Sequence, residues 1–212
     1  FSAKTRALVL VNPNNPTGNT QNLGDIIRII EEFDGIVVVD EAYIDFCADK
    51  TLLPYLNQYP NLVILQTFSK AWGLAGARLG LAFASTEIID VLNKVKFPYN
   101  VGKPSLAVLD NALKNYKTVK EKITNLSDER KFLAKELSKL SPVVRVYPSE
   151  SNFLLVKTIN ADLTYNQLLD NGIVVRNRSK EPGCEECLRI TVGSEVENRR
   201  LIEILKKLFV DS

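Results

Sequence analysis

Lys70 stands in the segment Thr67-Phe-Ser-Lys-Ala-Trp-Gly-Leu-Ala-Gly76. A lysine amine condenses with an aldehyde if it is partly desolvated and held beside the carbonyl carbon. Ser69, Ala71, Gly73, Ala75 and Gly76 are small, so a bulky ring could approach the backbone here. Taken alone, a lysine after a strand is more often a solvated charge. Asp40 closes an intensely apolar run, a costly place for a carboxylate without a partner. A protonated ring nitrogen would be such a partner, and a protonated ring accepts electrons from a carbanion. The plainer alternative is a helix cap or a turn acid. Tyr43 follows three residues later and could donate to a phenolic oxygen on the same ring, or be a tyrosine at the edge of the core. Asn14-Asn15-Pro16-Thr17-Gly18 is a rigid turn. Ser69 and Arg78 could bind a phosphate, although an arginine at such a spot also serves as a surface charge.

Asn15, Asp40, Tyr43 and Lys70 fall just after strand ends. Ala7–Val11, Gly35–Val39, Asn61–Leu65 and Leu79–Ala84 are short apolar runs, and Leu23–Phe33 between the first two has helical spacing. Strands of this kind, separated by helices, predict an α/β layer with a mostly parallel sheet covered on each side. In such sheets ligands gather at the carboxyl ends of the strands. Near Pro98 the character changes. A helical stripe from Ser105 to Leu140 would be about 36 residues and roughly 54 Å long as one helix, so a bend or break is expected. A coiled coil is the alternative, ranked lower because strands follow at Val143–Tyr147, Asn152–Val156, Ile173–Arg176 and Cys187–Val192. Ser194 with Glu197 reads as the cap of a final amphipathic helix through Leu208. The expected organisation is a partial large α/β domain over 1–97, then a connecting helix and a smaller α+β domain over 98–212.

Composition excludes several classes. Apolar residues are 45% and charged residues 25%, with a net charge of +2 and interspersed signs, which argues against nucleic-acid or membrane-surface partners. No apolar run approaches the ~20 residues of a membrane span, and the start lacks a secretory pattern, so a soluble cytoplasmic protein is expected. The chain has no histidine, which removes Ser-His-Asp, Cys-His and His-ligated zinc chemistry, and no metal site is expected. Cys47, Cys184 and Cys187 read as reduced thiols rather than as a redox or metal motif. With no methionine, Phe1 is not read as a translated start, and the expectation is a fragment or processed product.

Together the motifs carry a resemblance. Asn15-Pro-Thr-Gly18, Asp40-Glu-Ala-Tyr43 and Ser69-Lys70 with Arg78-Leu-Gly80 are similar, in order and spacing, to the fold type I pyridoxal-phosphate (PLP) aminotransferases. Phe97-Pro-Tyr-Asn100, Gly172-Ile-Val-Val-Arg176 and Cys187-Leu-Arg-Ile-Thr-Val-Gly193 resemble, within them, the histidinol-phosphate aminotransferase family, over nearly the whole chain.

The resemblance implies that this is a carboxy-terminal portion and that PLP is the cofactor. It makes Lys70 the Schiff-base lysine and proton shuttle, and Asp40 the partner of the pyridine nitrogen. Asn15 and Tyr43 would bind the ring hydroxyl, and Ser69 and Arg78 the cofactor phosphate. Arg189 would grip an anionic substrate group, with Arg176 assisting at a substrate phosphate. Two strand arginines suit that task because guanidinium binds carboxylate or phosphate bidentately. For Arg176 an exposed strand residue is the equal alternative. The implied reaction moves an amino group between glutamate and imidazole acetol phosphate, in a homodimer. A decarboxylase of a phosphorylated amino acid, or a non-catalytic fragment, are the alternatives. The family's amino-terminal arm, its ring-stacking aromatic and its glycine-rich helix start have no match here, so the chain alone is expected to be weak or inactive.

Overall fold

A computed structural model describes residues 4–210. Its described residues divide into two compact units, one of residues 4–13 and 20–121, the other of residues 14–19 and 122–210. The expected border at 97/98 lies inside the first unit.

In the first unit, β1 (Ala7–Val11) leads through a turn to α1 (Leu23–Glu32) and β2 (Ile36–Asp40). Two 3₁₀ segments, Ile44–Lys50 and Leu53–Tyr55, precede β3 (Leu62–Thr67). The 3₁₀ turn Ala75–Ala77 precedes β4 (Gly80–Phe83), α2 (Thr86–Val95) and α3 (Lys103–Lys114). Sheet order is β1-β2-β3-β4, parallel from β1 to β3 and antiparallel at β4. The Asn22 side chain caps α1 by accepting from the Gly24 and Asp25 N–H groups at 2.8 and 3.3 Å. Ile26 and Ile30, one turn apart, then pack on Val37, Val39, Leu62 and Ile64. β3 buries three successive residues, Leu62, Val63 and Ile64, so both its faces are covered. Coverage on each side does not extend to the outer strands, where Val9 is 65% and Leu81 40% exposed.

The second unit contains most of α4 (Tyr116–Leu137), then β5 (Val143–Val146), β6 (Phe153–Thr158), α5 (Ala161–Asp170), β7 (Arg176–Asn177), β8 (Cys187–Thr191) and α6 (Glu195–Val210). The expected helix break is at Asn115, whose backbone N–H and side-chain amide both bond back to the end of α3. The sheet runs β5-β6-β8-β7 and is wholly antiparallel. Leu154 and Val156 of β6, with Leu188 and Ile190 of β8, share a core with Leu133, Leu137, Leu168, Leu201 and Leu205 from the helices. Buried Arg130 anchors α4 by donating to the Ser151 carbonyl at 2.8 Å and pairing with Glu150 at 3.5 Å.

Ser194 and Glu197 form the expected capping box. The Ser194 N–H and hydroxyl reach the Glu197 carboxylate at 2.8 and 2.7 Å, and the Glu197 N–H donates to the Ser194 hydroxyl at 3.4 Å.

Two expectations shift in detail. The strand expected over Ile173–Arg176 is reduced to Arg176–Asn177. Gly172, at φ 74°, ends α5, with the Ile173 N–H donating to Leu168 and the Gly172 N–H to Leu169, so Ile173 belongs to the helix terminus. α2 and α5 are helices beyond those expected from the sequence. No helix among the described residues is long and apolar enough to cross a membrane.

Candidate active site

Asp40 is the last residue of β2, and its register partner on β3 is Leu65. The chain cannot continue the strand, because the Glu41 N–H donates to the Leu65 carbonyl while the Ala42 N–H turns back to Asp40 Oδ1 at 2.9 Å. This is the Asx turn expected of a turn acid, but it occupies one oxygen only. Among the described residues nothing bonds the other. Tyr43 follows, buried.

Lys70 enters from the end of β3. The Ser69 N–H donates to Thr67 Oγ1 at 3.1 Å, the Gly73 N–H to the Lys70 carbonyl at 3.1 Å and the Leu74 N–H to the Phe68 carbonyl at 2.9 Å, so the backbone curls tightly around the lysine. Gly73 takes φ +69°, and a Cβ at Gly73 or Gly76 would meet nothing within 4 Å. The small residues therefore border open space. Lys70 Nζ lies 5.4 Å from the centroid of the Tyr43 ring. Among the described residues Lys70 makes no ion pair, and in particular none with Asp40. Arg78 sits in the left-handed region (φ 54°), uncommon for a residue with a side chain, and donates to the Ala75 carbonyl at 3.3 Å.

Asp40, Tyr43, Ser69, Lys70 and Arg78 thus belong to the first unit, and Lys70 and Tyr43 meet there. Asn15, Arg176 and Arg189 belong to the second. Arg189 Nη1 donates to Asn15 Oδ1 at 2.6 Å, and its guanidinium lies 5.0 Å from the centroid of the Phe153 ring. Arg176 is its direct cross-strand partner and is exposed. Like charges placed opposite each other repel unless an anion joins them. The loop carrying Asn15 is shaped by Gly18, at φ +79°, where an added Cβ would stand 2.3 Å from Ser149 Oγ. Only glycine fits. A cavity of about 320 Å³ beside β8 and α6, lined by residues such as Val175, Ile190, Asn198 and Leu201, contains none of the expected site residues.

Two acids had no assigned role. Glu41 is buried and accepts from Leu52 N–H at 2.7 Å, Thr51 hydroxyl at 2.7 Å and Gln66 amide at 2.9 Å. Burial pushes its carboxyl above the ordinary 4.5, while these donors pull back and nearby Asp45 adds to the rise. Asp45 is likewise raised by burial, opposed by a hydrogen bond from Trp72. A charge beside Asp40 at the close of an apolar strand was the only signal for Glu41, and Asp45 had none. Cys184 and Cys187 are buried free thiols whose pKa burial raises, the state of an unreactive cysteine.

The model for aminotransferase class I and II matches residues 1–205. The chain is 48% identical to histidinol-phosphate aminotransferase of Cytophaga hutchinsonii over 95% of its own length and 58% of that protein's, so it spans less than two thirds of this relative. The crystal structure of histidinol-phosphate aminotransferase from Clostridium acetobutylicum superposes with a TM-score of 0.91 at 25% identity, covering 97% of this chain and 64% of that one. That of the Sinorhizobium meliloti enzyme in complex with pyridoxal-5'-phosphate does so at 0.85 and 25%, covering 95% and 58%. Since the family match runs almost from end to end, the strand-end lysine and aspartate are those of a protein that belongs to the aminotransferase class I and II family.

Proposed function

We propose that the whole protein is a PLP-dependent aminotransferase acting on a phosphorylated substrate, with histidinol-phosphate aminotransferase as the specific activity. The observation that carries this reading is the pairing of Lys70 with the Tyr43 ring, 5.4 Å away, at the same sheet edge as Asp40. A cation and an anion left unpaired at neighbouring strand ends suit a group that spans them, and the open space at Gly73 and Gly76 leaves room for it.

PLP supplies, when bound, an aldehyde for an amine and a ring that accepts electrons. In this reading Lys70 provides the amine and moves a proton at the substrate Cα. Asp40, through its free oxygen, holds the proton on the ring nitrogen. Tyr43 and Asn15 donate to the ring hydroxyl, while the Ser69 hydroxyl and the Arg78 guanidinium bind the phosphate. Arg189 binds an anionic substrate group and Arg176 assists at the substrate phosphate, which would relieve the repulsion between these opposed arginines. The amino donor is glutamate and the acceptor imidazole acetol phosphate. The reading extends to a cytoplasmic homodimer, supported by the exposed apolar run at Phe97 and Tyr99, 82% and 98% accessible.

The test is glutamate-dependent amination of imidazole acetol phosphate by the full-length enzyme, followed as 2-oxoglutarate release. Activity should vanish in Lys70→Ala. PLP binding without nitrogen transfer to any phosphorylated keto acceptor would sink the reading, and release of CO₂ would point to decarboxylation.

A further inference from the structure

We propose that Glu41 is a positioning residue for the site. By holding the Gln66 side chain, its carboxylate sets the end of β3, which leads to Lys70, against the end of β2, which carries Asp40. The inference rests on the reading that Lys70 and Asp40 serve PLP. Glu41 is only 1% exposed. Its Oε1 accepts from the Leu52 N–H at 2.7 Å, and its Oε2 from the Thr51 hydroxyl at 2.7 Å and the Gln66 amide at 2.9 Å. One carboxylate therefore joins the close of β2, the close of β3 and the junction of the 3₁₀ segments beyond Tyr43.

The backbone alone does not make this tie. Strand pairing between β2 and β3 ends at Asp40 and Leu65. Among the described residues the Glu41 N–H to the Leu65 carbonyl, at 2.8 Å, is the last backbone bond across it. Beyond that rung the chains part. β2 turns through Ala42 toward Tyr43, while Gln66 and Thr67 pair with Leu81 and Gly80 of β4. The Gln66 amide reaches back to Glu41 where the two site-bearing segments begin to separate. From Gln66 onward the chain is stiff. Thr67 Oγ1 donates to the Leu79 carbonyl at 3.2 Å and accepts from the Ser69 N–H at 3.1 Å, and the Gly73 N–H donates to the Lys70 carbonyl at 3.1 Å. A shift at Gln66 is thus carried to Lys70 rather than absorbed on the way. Burying a carboxylate costs desolvation that an apolar residue of like size avoids. Glu41 supplies directed bonds that an apolar side chain lacks.

Two donors to the same Glu41 oxygen separate positioning from stability. Gln66→Leu removes the donor on β3 and Thr51→Val the donor between the 3₁₀ segments. Thr51→Val also removes the acceptor of the Leu53 N–H at 3.2 Å. In the full-length enzyme, PLP affinity and the pH at which the visible band of lysine-bound PLP titrates are measured beside melting temperature. Gln66→Leu should weaken PLP binding about fivefold and move the band titration by about half a pH unit. Thr51→Val should lower the melting temperature at least as much, with PLP affinity within about twofold of wild type and the band titration in place. Glu41→Gln should stay within about threefold of wild type, because the Gln66 amide can turn over and accept from the new one. Gln66→Asn leaves the amide one methylene short and should behave as Gln66→Leu does, so it carries the test if the leucine variant fails to fold. Equal losses of PLP binding in Gln66→Leu and Thr51→Val, an unmoved band titration in Gln66→Leu, or a Glu41→Gln variant as impaired as Gln66→Leu would overturn the positioning role. A wild type without the band, or Lys70→Ala retaining it, would instead overturn the cofactor reading and the positioning role with it.

Discussion

At the scale of single residues, the site stands on a carboxylate beside it. Glu41 collects three donors from Leu52, Thr51 and Gln66, so it ties the end of β2 to β3 and to the 3₁₀ segments. Glu41→Ala would leave those donors unmet, and chemical denaturation should report a loss of about 2–3 kcal/mol. Its pKa is raised by burial, so folding favours the protonated form. The stabilising share from Glu41 is therefore complete below about 4.5 and lost as pH rises through the raised value. Glu41→Gln cannot titrate. The stability of wild type relative to that variant should shrink as pH climbs from 4.5 toward neutrality, and a gap that widened would refute the assignment. Gly18 acts differently, through space and backbone angle. Gly18→Ala should destabilise the second unit by about 1–3 kcal/mol, seen as a lowered midpoint in urea.

At the scale of elements, caps and breaks decide where the functional side chains emerge. Asn22 starts α1 directly after the turn-rich stretch, and Asn22→Ala should cost about 1 kcal/mol in thermal or denaturant unfolding without altering PLP binding. The Gly172 terminus of α5 matters more for the site, because it delays β7 until Arg176, which then pairs with Arg189. Gly172→Ala puts a side chain at φ 74°. It should lower stability by about 1 kcal/mol. If Arg176 binds a substrate phosphate, KM for the phosphorylated acceptor should rise more than kcat falls. An equal loss in both would detach Arg176 from substrate binding.

At the scale of the whole molecule, what the surface leaves open is informative. Val9, Leu81, Phe97 and Tyr99 are apolar and exposed, while the chain spans 58% of the Cytophaga relative. An exposed apolar surface of this kind marks contacts with further protein. If the proposed homodimer uses this surface, Phe97→Ser with Tyr99→Ser in the full-length protein should shift sedimentation from dimer toward monomer. Unchanged sedimentation would remove these residues from any dimer contact.

Much of this was readable in one dimension. Short apolar runs ending in polar residues announced β1 to β4 and placed Asp40, Tyr43 and Lys70 at or just past strand ends, because hydropathy runs and turn chemistry are local properties. The capping box at Ser194 was local too, whereas a break in the 105–140 stripe followed from its length and only the structure put it at Asn115. Three-dimensional packing alone revealed the burial of Glu41 under its three donors and the opposition of Arg176 to Arg189. Each joins positions between 10 and 25 residues apart, and which side chain meets which is settled by strand register and loop closure, which no local pattern encodes.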